Sequence, residues 1–295
     1  MHATGEIDLH CHSTASDGTL RPAEVVRLAH RSGLSGLALT DHDTVAGVAE
    51  AAREAALLGI DFLPGIEVSC AFPRPGTFHL LGYGMDLKSP ALSKLVRTLE
   101  AAREERAAMI VRRLNALGID ITLKEAQAEA GEMAMIGRPH LADLLVRKRH
   151  AVSTRDAFTR YLGGGGAAYV DTAPLSPEQA VALIREAGGL ASLAHPFQLR
   201  RREFAQLEAL VRELAEQGME GIETLHGSHD AEQVHRLTRL ADRMDLITTG
   251  GSDFHGANKP WIRLGEAGGR RVVPRHFFDA VTVRLVGRRA MRKAG

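Results

Sequence analysis

Cysteine is nearly absent: Cys11 and Cys70 are the only two in 295 residues. That excludes a disulfide framework. Cys11 lies between His10 and His12 on an expected strand, where period-two alternation turns it away from their face and into the core. Cys70 reads as a second core thiol. Long apolar runs are absent too, and none approaches the roughly 20 residues of a membrane-spanning helix. The first residues show no charged leader followed by an apolar segment, so no secretory signal is expected and the cytoplasm is the expected compartment. A dominant charge is also missing. Lys and Arg total 37 against 36 Asp and Glu, a net charge of +1, which removes any global basic field for long nucleic acid. Arg far outnumbers Lys, which reads as overall composition rather than as one phosphate-binding surface. No internal repeat is present.

What remains is an ordinary globular composition, 44% hydrophobic and 25% charged, at a length that fits one elaborated α/β barrel or two smaller domains. Strand and helix patterns alternate at first. Strands are expected near 6–12, 37–40, 62–68 and 78–82, and helices over 22–32 and 44–58. Pro22 suits a helix start, and Gly33 and Gly59 suit positions just past helix ends. Such alternation implies a parallel sheet with covering helices. From about 91 to 160 only helical periodicity is found, in a long amphipathic segment (92–117) and shorter ones (123–130, 139–148, 154–161). The run Gly163–Gly166 closes this block as a hinge or tight loop. Alternation then resumes, with strands near 190–194, 221–225 and 246–249 and helices at 177–187, 203–217 and 230–243. The expected fold is α/β: a barrel over 1–99 and 167–295, interrupted by an all-helical insertion, 100–166, that acts as a lid for substrate.

Nine metal-binding side chains fall largely where these strands end: His10, His12, Asp17, His42, Glu67, His79, His195, Asp253 and His255. If the strands are parallel, their C-terminal ends share the face on which barrel enzymes build their sites. His10 and His12 project from one face of a strand about 7 Å apart, within reach of one ion. Each fragment alone has a bland reading as a satisfied polar group; the convergence of all of them favours a metal site. Imidazoles and carboxylates without thiolate suit Mn, Zn or Fe(II).

Asp8-Leu9-His10-Cys11-His12, Thr40-Asp41-His42, Glu67, His79, His195-Pro196 and Asp253-Phe254-His255 together resemble the motif regions of the PHP family, the polymerase-and-histidinol-phosphatase group of metal phosphoesterases. The resemblance spans nearly the whole chain outside the insertion. It implies a distorted (β/α)7 barrel with two to three divalent ions, Mn2+ ahead of Zn2+ and Fe2+. By motif position it implies His10, His12, Glu67 and Asp253 around one metal. Glu67 would bridge to a second metal held by His79 and His195, and Asp17, His42 and His255 would hold a third. Asp17 departs from members that carry His there.

Within the insertion, Gly137-Arg138-Pro139-His140 opens a helix. A guanidinium beside free backbone N–H groups suits a phosphate; a surface arginine before a proline is the alternative. This motif resembles the nucleotidase-like branch of the family. The expected activity is therefore that of a phosphoric monoester hydrolase acting on a small nucleotide. A nucleoside 3′,5′-bisphosphate such as pAp would give the 5′-monophosphate and phosphate. A 5′→3′ exonuclease or phosphodiesterase on short RNA and a histidinol-phosphate phosphatase are the alternatives. A non-enzymatic module is disfavoured because all nine positions are filled. Asp17 or Asp253 is expected to take or give the proton, and His42 or His255 to stabilise the leaving oxygen. Arg138, His140, Asn258 and Lys259 are expected to touch substrate. His226 and His229 are placed near the mouth; Arg200–Arg202 and His2, His30, His150, His235 and His276 are placed at the surface. Phe72, Phe197 and Phe254 could stack on a base, but core packing is the expected role of each. No membrane contact and no stable protein partner is expected.

Overall fold

A computed structural model describes residues 6–72, 77–131, 135–171 and 174–294; His2 lies outside them. The first half runs β1 (Glu6–Cys11), α1 (Pro22–Arg31), β2 (Leu34–Leu39), α2 (Val48–Leu58), β3 (Asp61–Cys70) and β4 (Phe78–Tyr83). Four helices follow: α3 (Pro90–Ala116), α4 (Leu123–Ala130), α5 (Arg138–Arg147) and α6 (Thr154–Ala157). The alternation resumes with α7 (Pro177–Glu186), β5 (Leu190–Leu193), α8 (Phe204–Glu216), β6 (Gly221–His226), α9 (Ala231–Arg243) and β7 (Ile247–Gly251). A short hairpin, β8 (Glu266–Ala267) and β9 (Arg271–Pro274), leads into α10 (Arg275–Ala294).

The strands form one sheet in the order β7-β6-β5-β4-β3-β2-β1-β9-β8, curled into a nearly closed barrel. At the seam, β1 and the end of β7 meet through Asp253 N–H to His10 O (2.8 Å) and His12 N–H to Phe254 O (2.9 Å). Gly251 permits that approach, since a Cβ there would lie 2.4 Å from the His10 backbone nitrogen. The parallel expectation fails at one strand. β4 pairs antiparallel with both β3 and β5; only residues 71–77 separate β3 from β4, too few for the crossover that a parallel pair requires. His79, near the start of β4, thereby reaches the same rim as residues at the ends of the parallel strands.

Other expectations shift in detail. α2 begins at Val48 rather than Thr44, because residues 41–47 are held as a loop with Asp43 at φ 60°. The β8–β9 hairpin and α10 were not anticipated. Phe277, Phe278, Val281 and Leu285 of α10 join Ile7, Leu9, Leu81 and Tyr83 in an apolar core that closes the end of the barrel away from the rim. Among the described residues, no helix is long and apolar enough to cross a membrane.

Helix α3 runs unbroken through the expected boundary at 99/100. Its Leu92, Leu95 and Leu99 pack with the barrel, whereas Ile110, Val111 and Leu114 belong to a separate core with Leu141, Leu145 and Leu162. One rigid element thus carries the helical block over the rim. Cys11 is fully buried, its thiol directed to the Ala38 carbonyl at 3.3 Å, and Cys70 is buried as well. Phe254 is buried, whereas Phe72 and Phe197 are half-buried at the edge of the core. His30, His235 and His276 are exposed, and His150 is half-buried.

Candidate metal centre

The rim gathers all nine singled-out side chains around Glu67. Glu67 sits within β3 and not at its end, fully buried, with its two carboxylate oxygens facing different histidines. Oε1 lies 2.7 Å from His79 Nδ1 and 2.8 Å from His195 Nε2. Oε2 lies 3.3 Å from His10 Nε2, 3.2 Å from His12 Nε2 and 3.0 Å from His42 Nδ1. Asp253 Oδ1 closes the first side, 3.6 Å from His10 Nε2 and 3.3 Å from His12 Nε2. Asp17 Oδ1 lies 3.3 Å from His255 Nε2, and Asp17 Oδ2 lies 3.9 Å from His42 Nε2.

Buried carboxylates outside this ring fix its backbone. Asp8 accepts N–H groups from His10, Ser252 and Gly265 (3.0, 3.1 and 2.7 Å) and so ties β1 to the β7 exit. Asp41 accepts from Ser13 N–H, Ser13 Oγ and Ser16 Oγ (2.7, 2.7 and 2.6 Å), shaping the loop that presents Asp17. Asp43, His195 and Asp253 all adopt positive φ (60°, 27° and 59°). Such backbone is costly for non-glycine residues and persists where surroundings enforce it, as functional sites do.

Whether these residues fit cations is answered by their orphaned atoms. His10 Nε2, both ring nitrogens of His12, His42 Nδ1, Glu67 Oε2, His195 Nδ1 and His226 Nε2 are buried without a hydrogen-bond partner. Buried polar atoms are rarely left so. Several converge on shared points: His10, His12, Glu67 and Asp253 offer atoms within 4.8 Å of one another, as do His12, Asp17, His42 and His255, and His42, Glu67 and His79. Imidazole and carboxylate lone pairs aimed at common centres fit divalent transition cations.

The electrostatics agree. Burial opposes charge on Glu67, but the imidazoles of His42, His79 and His10 hold it well below the usual carboxylate range. Asp17 is likewise held well below that range, against burial, by His255 and His42, and Asp253 by Lys259 and His255. In return, Asp253 and Glu67 override burial and lift His12 to about 9, while Glu223 and Glu67 lift His10 well above its ordinary value. His195, dominated by burial, falls to about 4.

Two residues outside the nine, Glu223 and His226, also adjoin this cluster. Glu223 in β6 is fully buried; its Oε1 lies 2.9 Å from His10 Nδ1, and its Oε2 accepts the His195 N–H at 2.7 Å. His226, placed near the mouth, lies inside the cluster with Nε2 3.4 Å from Asp253 Oδ2. His229 is buried beside it, its Nδ1 3.0 Å from the Thr224 carbonyl.

The expected substrate contacts are scattered. Arg138 lines a cleft between the helical block and the rim, together with Asp17, His42, His79, Arg103 and Arg106. Its guanidinium lies 5.7 Å from the Tyr169 ring centre. His140 is buried, and its Nδ1 accepts the Gly137 N–H at 3.0 Å, which closes the first turn of α5. The Asn258 amide donates to the Asp17 carbonyl at 2.8 Å, and Lys259 Nζ lies 2.7 Å from Asp253 Oδ2. Arg103 and Arg106 of α3 were hidden among the charged residues of an apparently solvated helix.

Comparison with known proteins agrees with this geometry. The family model described as PHP domain matches residues 8–162, more than half of the chain. A 3′,5′-nucleoside bisphosphate phosphatase of Chromobacterium violaceum is 40% identical over 84% of this chain and 87% of its own length. A 5′-3′ exoribonuclease of Haemophilus influenzae is 37% identical over 89% of this chain and 94% of its own. Among solved structures, a Bifidobacterium adolescentis protein designated a metal-dependent phosphoesterase superposes with TM-score 0.83 at 33% identity, covering 94% of this chain and 96% of that one. The chain belongs to the PHP domain family and is a metal-dependent hydrolase of phosphate esters.

Proposed function

We infer that the protein removes the 3′-phosphate of a nucleoside 3′,5′-bisphosphate, with the helical block as the lid over the cleft. The observation that carries this reading is a second anion-binding wall. Arg103, Arg106 and Arg138 face the same cleft as Asp17, His42 and His79. Arg103 is committed to Asp43, at 2.5 Å. Arg106 makes no hydrogen bond or ion pair among the described residues, and burial beside Arg103 and Arg138 lowers it to about 10. Arg106 is half-buried, and a guanidinium withdrawn from water without a partner is costly unless an anion arrives to meet it. A substrate with two phosphates satisfies both walls: one phosphate at the cluster, the other at Arg106 and Arg138. The C. violaceum relative, named for that substrate class, supports the same reading.

His10, His12, Glu67 and Asp253 would hold one cation; Glu67, His79 and His195 a second; Asp17, His42 and His255 a third, with Mn2+ the favoured ion. When bound, such ions neutralise phosphoryl oxygens and acidify a water molecule. The chain's own groups do the rest. Asp17 and Asp253, beside the cluster, would take or give the proton, and both are held in the carboxylate form by the neighbouring cationic side chains. His42 and His255 border the leaving oxygen, and Lys259 adds positive charge at the rim beside Asp253. Arg106 and Arg138 hold the phosphate that is not cleaved, so remote binding energy orients the one that is. His140 acts through the α5 turn that presents Arg138, and Asn258 through the Asp17 loop.

The test is phosphate release from nucleoside 3′,5′-bisphosphates, nucleoside 5′-monophosphates and histidinol phosphate, with metal analysis of the same preparation. The reading expects the bisphosphate to have the highest kcat/KM and more than one equivalent of metal to be bound. A preference for histidinol phosphate would overturn it.

A further inference from the structure

Two imidazoles beside Asp253 meet opposite partners at Nδ1. His10 Nδ1 faces a carboxylate oxygen, Glu223 Oε1, at 2.9 Å. In the neutral ring that nitrogen carries the proton, and Nε2 keeps the lone pair that a cation needs. His226 Nδ1 instead accepts the backbone N–H of Ser228 at 3.0 Å. A backbone N–H can only donate, so Nδ1 of His226 holds the lone pair and the ring proton sits on Nε2. The Ser228 hydroxyl, 2.8 Å from the same nitrogen, can donate to it as well. The turn that makes these contacts is fixed, because the His226 carbonyl accepts N–H groups from His229 and Gly268, both at 3.0 Å.

Proximity alone would make His226 a further metal ligand, since it offers a ligand atom within 4.8 Å of those of His10 and Glu223. The tautomer forbids this: the nitrogen turned toward the cluster bears a proton. Nε2 is buried and lies 3.4 Å from Asp253 Oδ2. No hydrogen-bond acceptor competes for it among the described residues. Lys259 Nζ lies 2.7 Å from the same Asp253 oxygen. Two donors thus flank Oδ2, whereas Oδ1 faces His10 Nε2 (3.6 Å) and His12 Nε2 (3.3 Å). Asp253, His226 and Lys259 also line one open cavity. A carboxylate without these donors could rotate toward water there.

We propose that His226 is a positioning residue for Asp253 and not a ligand. Its Nε2–H and the Lys259 ammonium hold Oδ2, so that Asp253 offers a cation Oδ1 alone. A carboxylate bound through one oxygen leaves free a coordination position that a two-oxygen carboxylate would fill, and an open position is what separates a catalytic metal site from a closed structural one. The proposal rests on the reading above, in that His10, His12, Glu67 and Asp253 share one cation.

Nitrogen NMR of the imidazole rings locates the proton. Isotope-labelled wild-type protein is measured metal-free and then with Zn2+, a diamagnetic ion that takes the same ligands. The His226 signals are identified by their loss in His226→Gln. His226 should carry its proton on Nε2 and keep it at saturating Zn2+, while the Nε2 signals of His10 and His12 move on binding. A proton on Nδ1, or a His226 nitrogen that becomes metal-bound, would overturn the proposal. Zn2+ affinity supplies the second readout. His226→Gln retains an N–H donor and should stay within about threefold of wild type; His226→Leu fills the space without a donor and should lose about tenfold, the low end for an outer partner of a ligand. Unchanged affinity in His226→Leu, or equal losses in both variants, would remove the positioning role. Should His226→Leu fail to fold, the wild-type spectra decide. The cation assignment fails separately: His10 and His12 signals indifferent to Zn2+ would overturn it, whichever nitrogen of His226 holds the proton.

Discussion

Glu223 Oε1 stands 2.9 Å from His10 Nδ1, so the other ring nitrogen of His10 is the one turned toward Glu67 and Asp253. The second oxygen of Glu223 accepts the His195 N–H at 2.7 Å, and the same carboxylate therefore orients two members of the cluster from behind. Its own pKa follows: against burial, His10 and His226 lower it to about 2. Outer carboxylates of this kind fix the imidazole's tautomer and raise its basicity. Glu223→Gln keeps the shape but removes the charge. We expect metal affinity to drop about 10–100-fold, with kcat/KM falling at limiting metal and recovering in part when metal is added in excess. A metal titration of activity checks this; a loss that excess metal does not relieve at all would argue against an orienting role.

Arg103 and Asp43 join the helical block to the rim. Both are buried, and Asp43 also accepts Ser69 N–H and Oγ at 2.7 and 2.9 Å. Removing one member of a buried pair costs about 3–5 kcal/mol because the other charge is left behind. Asp43 would retain its Ser69 bonds, so Arg103→Ala should fall near the lower end, about 3 kcal/mol. Urea denaturation should show a lower midpoint with an unchanged slope. A loss under about 1 kcal/mol would place this contact among weak surface pairs.

The legible part of the molecule was the part written in short-range spacing. His10-x-His12 and Asp253-x-His255 announce their shared direction through strand geometry alone. Glu67 follows an apolar run that reads as a strand. Glu223 carried a fainter signal: a single carboxylate inside Gly221-Ile222-Glu223-Thr224-Leu225, a strand too apolar to leave it in water. Arg103 and Arg106 carried none, because Arg103-Glu104-Glu105-Arg106 is what a solvated helix face looks like. The reversed direction of β4 was equally hidden, since strand direction is set by neighbours and connections and not by local pattern. The core residues of α10 follow helical spacing, but Arg288, Arg289, Arg292 and Lys293 dilute the pattern along its second half.

Acidity links metal binding to stability. In the metal-free chain His12 is lifted from 6.5 to about 9, against burial, by Asp253 and Glu67. The folded chain thus holds a proton that the unfolded chain has already lost. That contribution is complete below pH 6.5 and disappears as pH rises through 9. A cation needs the lone pair that this proton occupies, so binding releases the proton and tightens across the same interval. His195, at about 4, stays neutral there and does not reverse the sign. The increase in Tm on adding Mn2+ should therefore grow as pH is raised from 6.5 toward 9. Thermal melts at matched ionic strength measure it, and an increase that stays flat or shrinks would mean that His12 is not where the ion binds.

Arg106 separates substrate binding from stability. Burial lowers its pKa to about 10, Arg103 and Arg138 oppose its charge, and it has no hydrogen bond or ion pair among the described residues. In the free protein it is a half-buried cation with no anionic partner among the described residues. Replacing it by Met keeps much of the apolar packing and removes the unfavourable charge, so Arg106→Met should leave Tm unchanged or raise it. The same change should lower kcat/KM for a nucleoside 3′,5′-bisphosphate by about 2–4 kcal/mol, the range for a charge-assisted contact in a desolvated site. A simple nucleoside monophosphate, which has no second phosphate to place, should lose far less. Arg138→Ala should follow the same substrate pattern. Equal losses on both substrates would mean that these arginines meet the phosphate being cleaved. A lower Tm together with unchanged kinetics would make Arg106 a structural residue of the helical block.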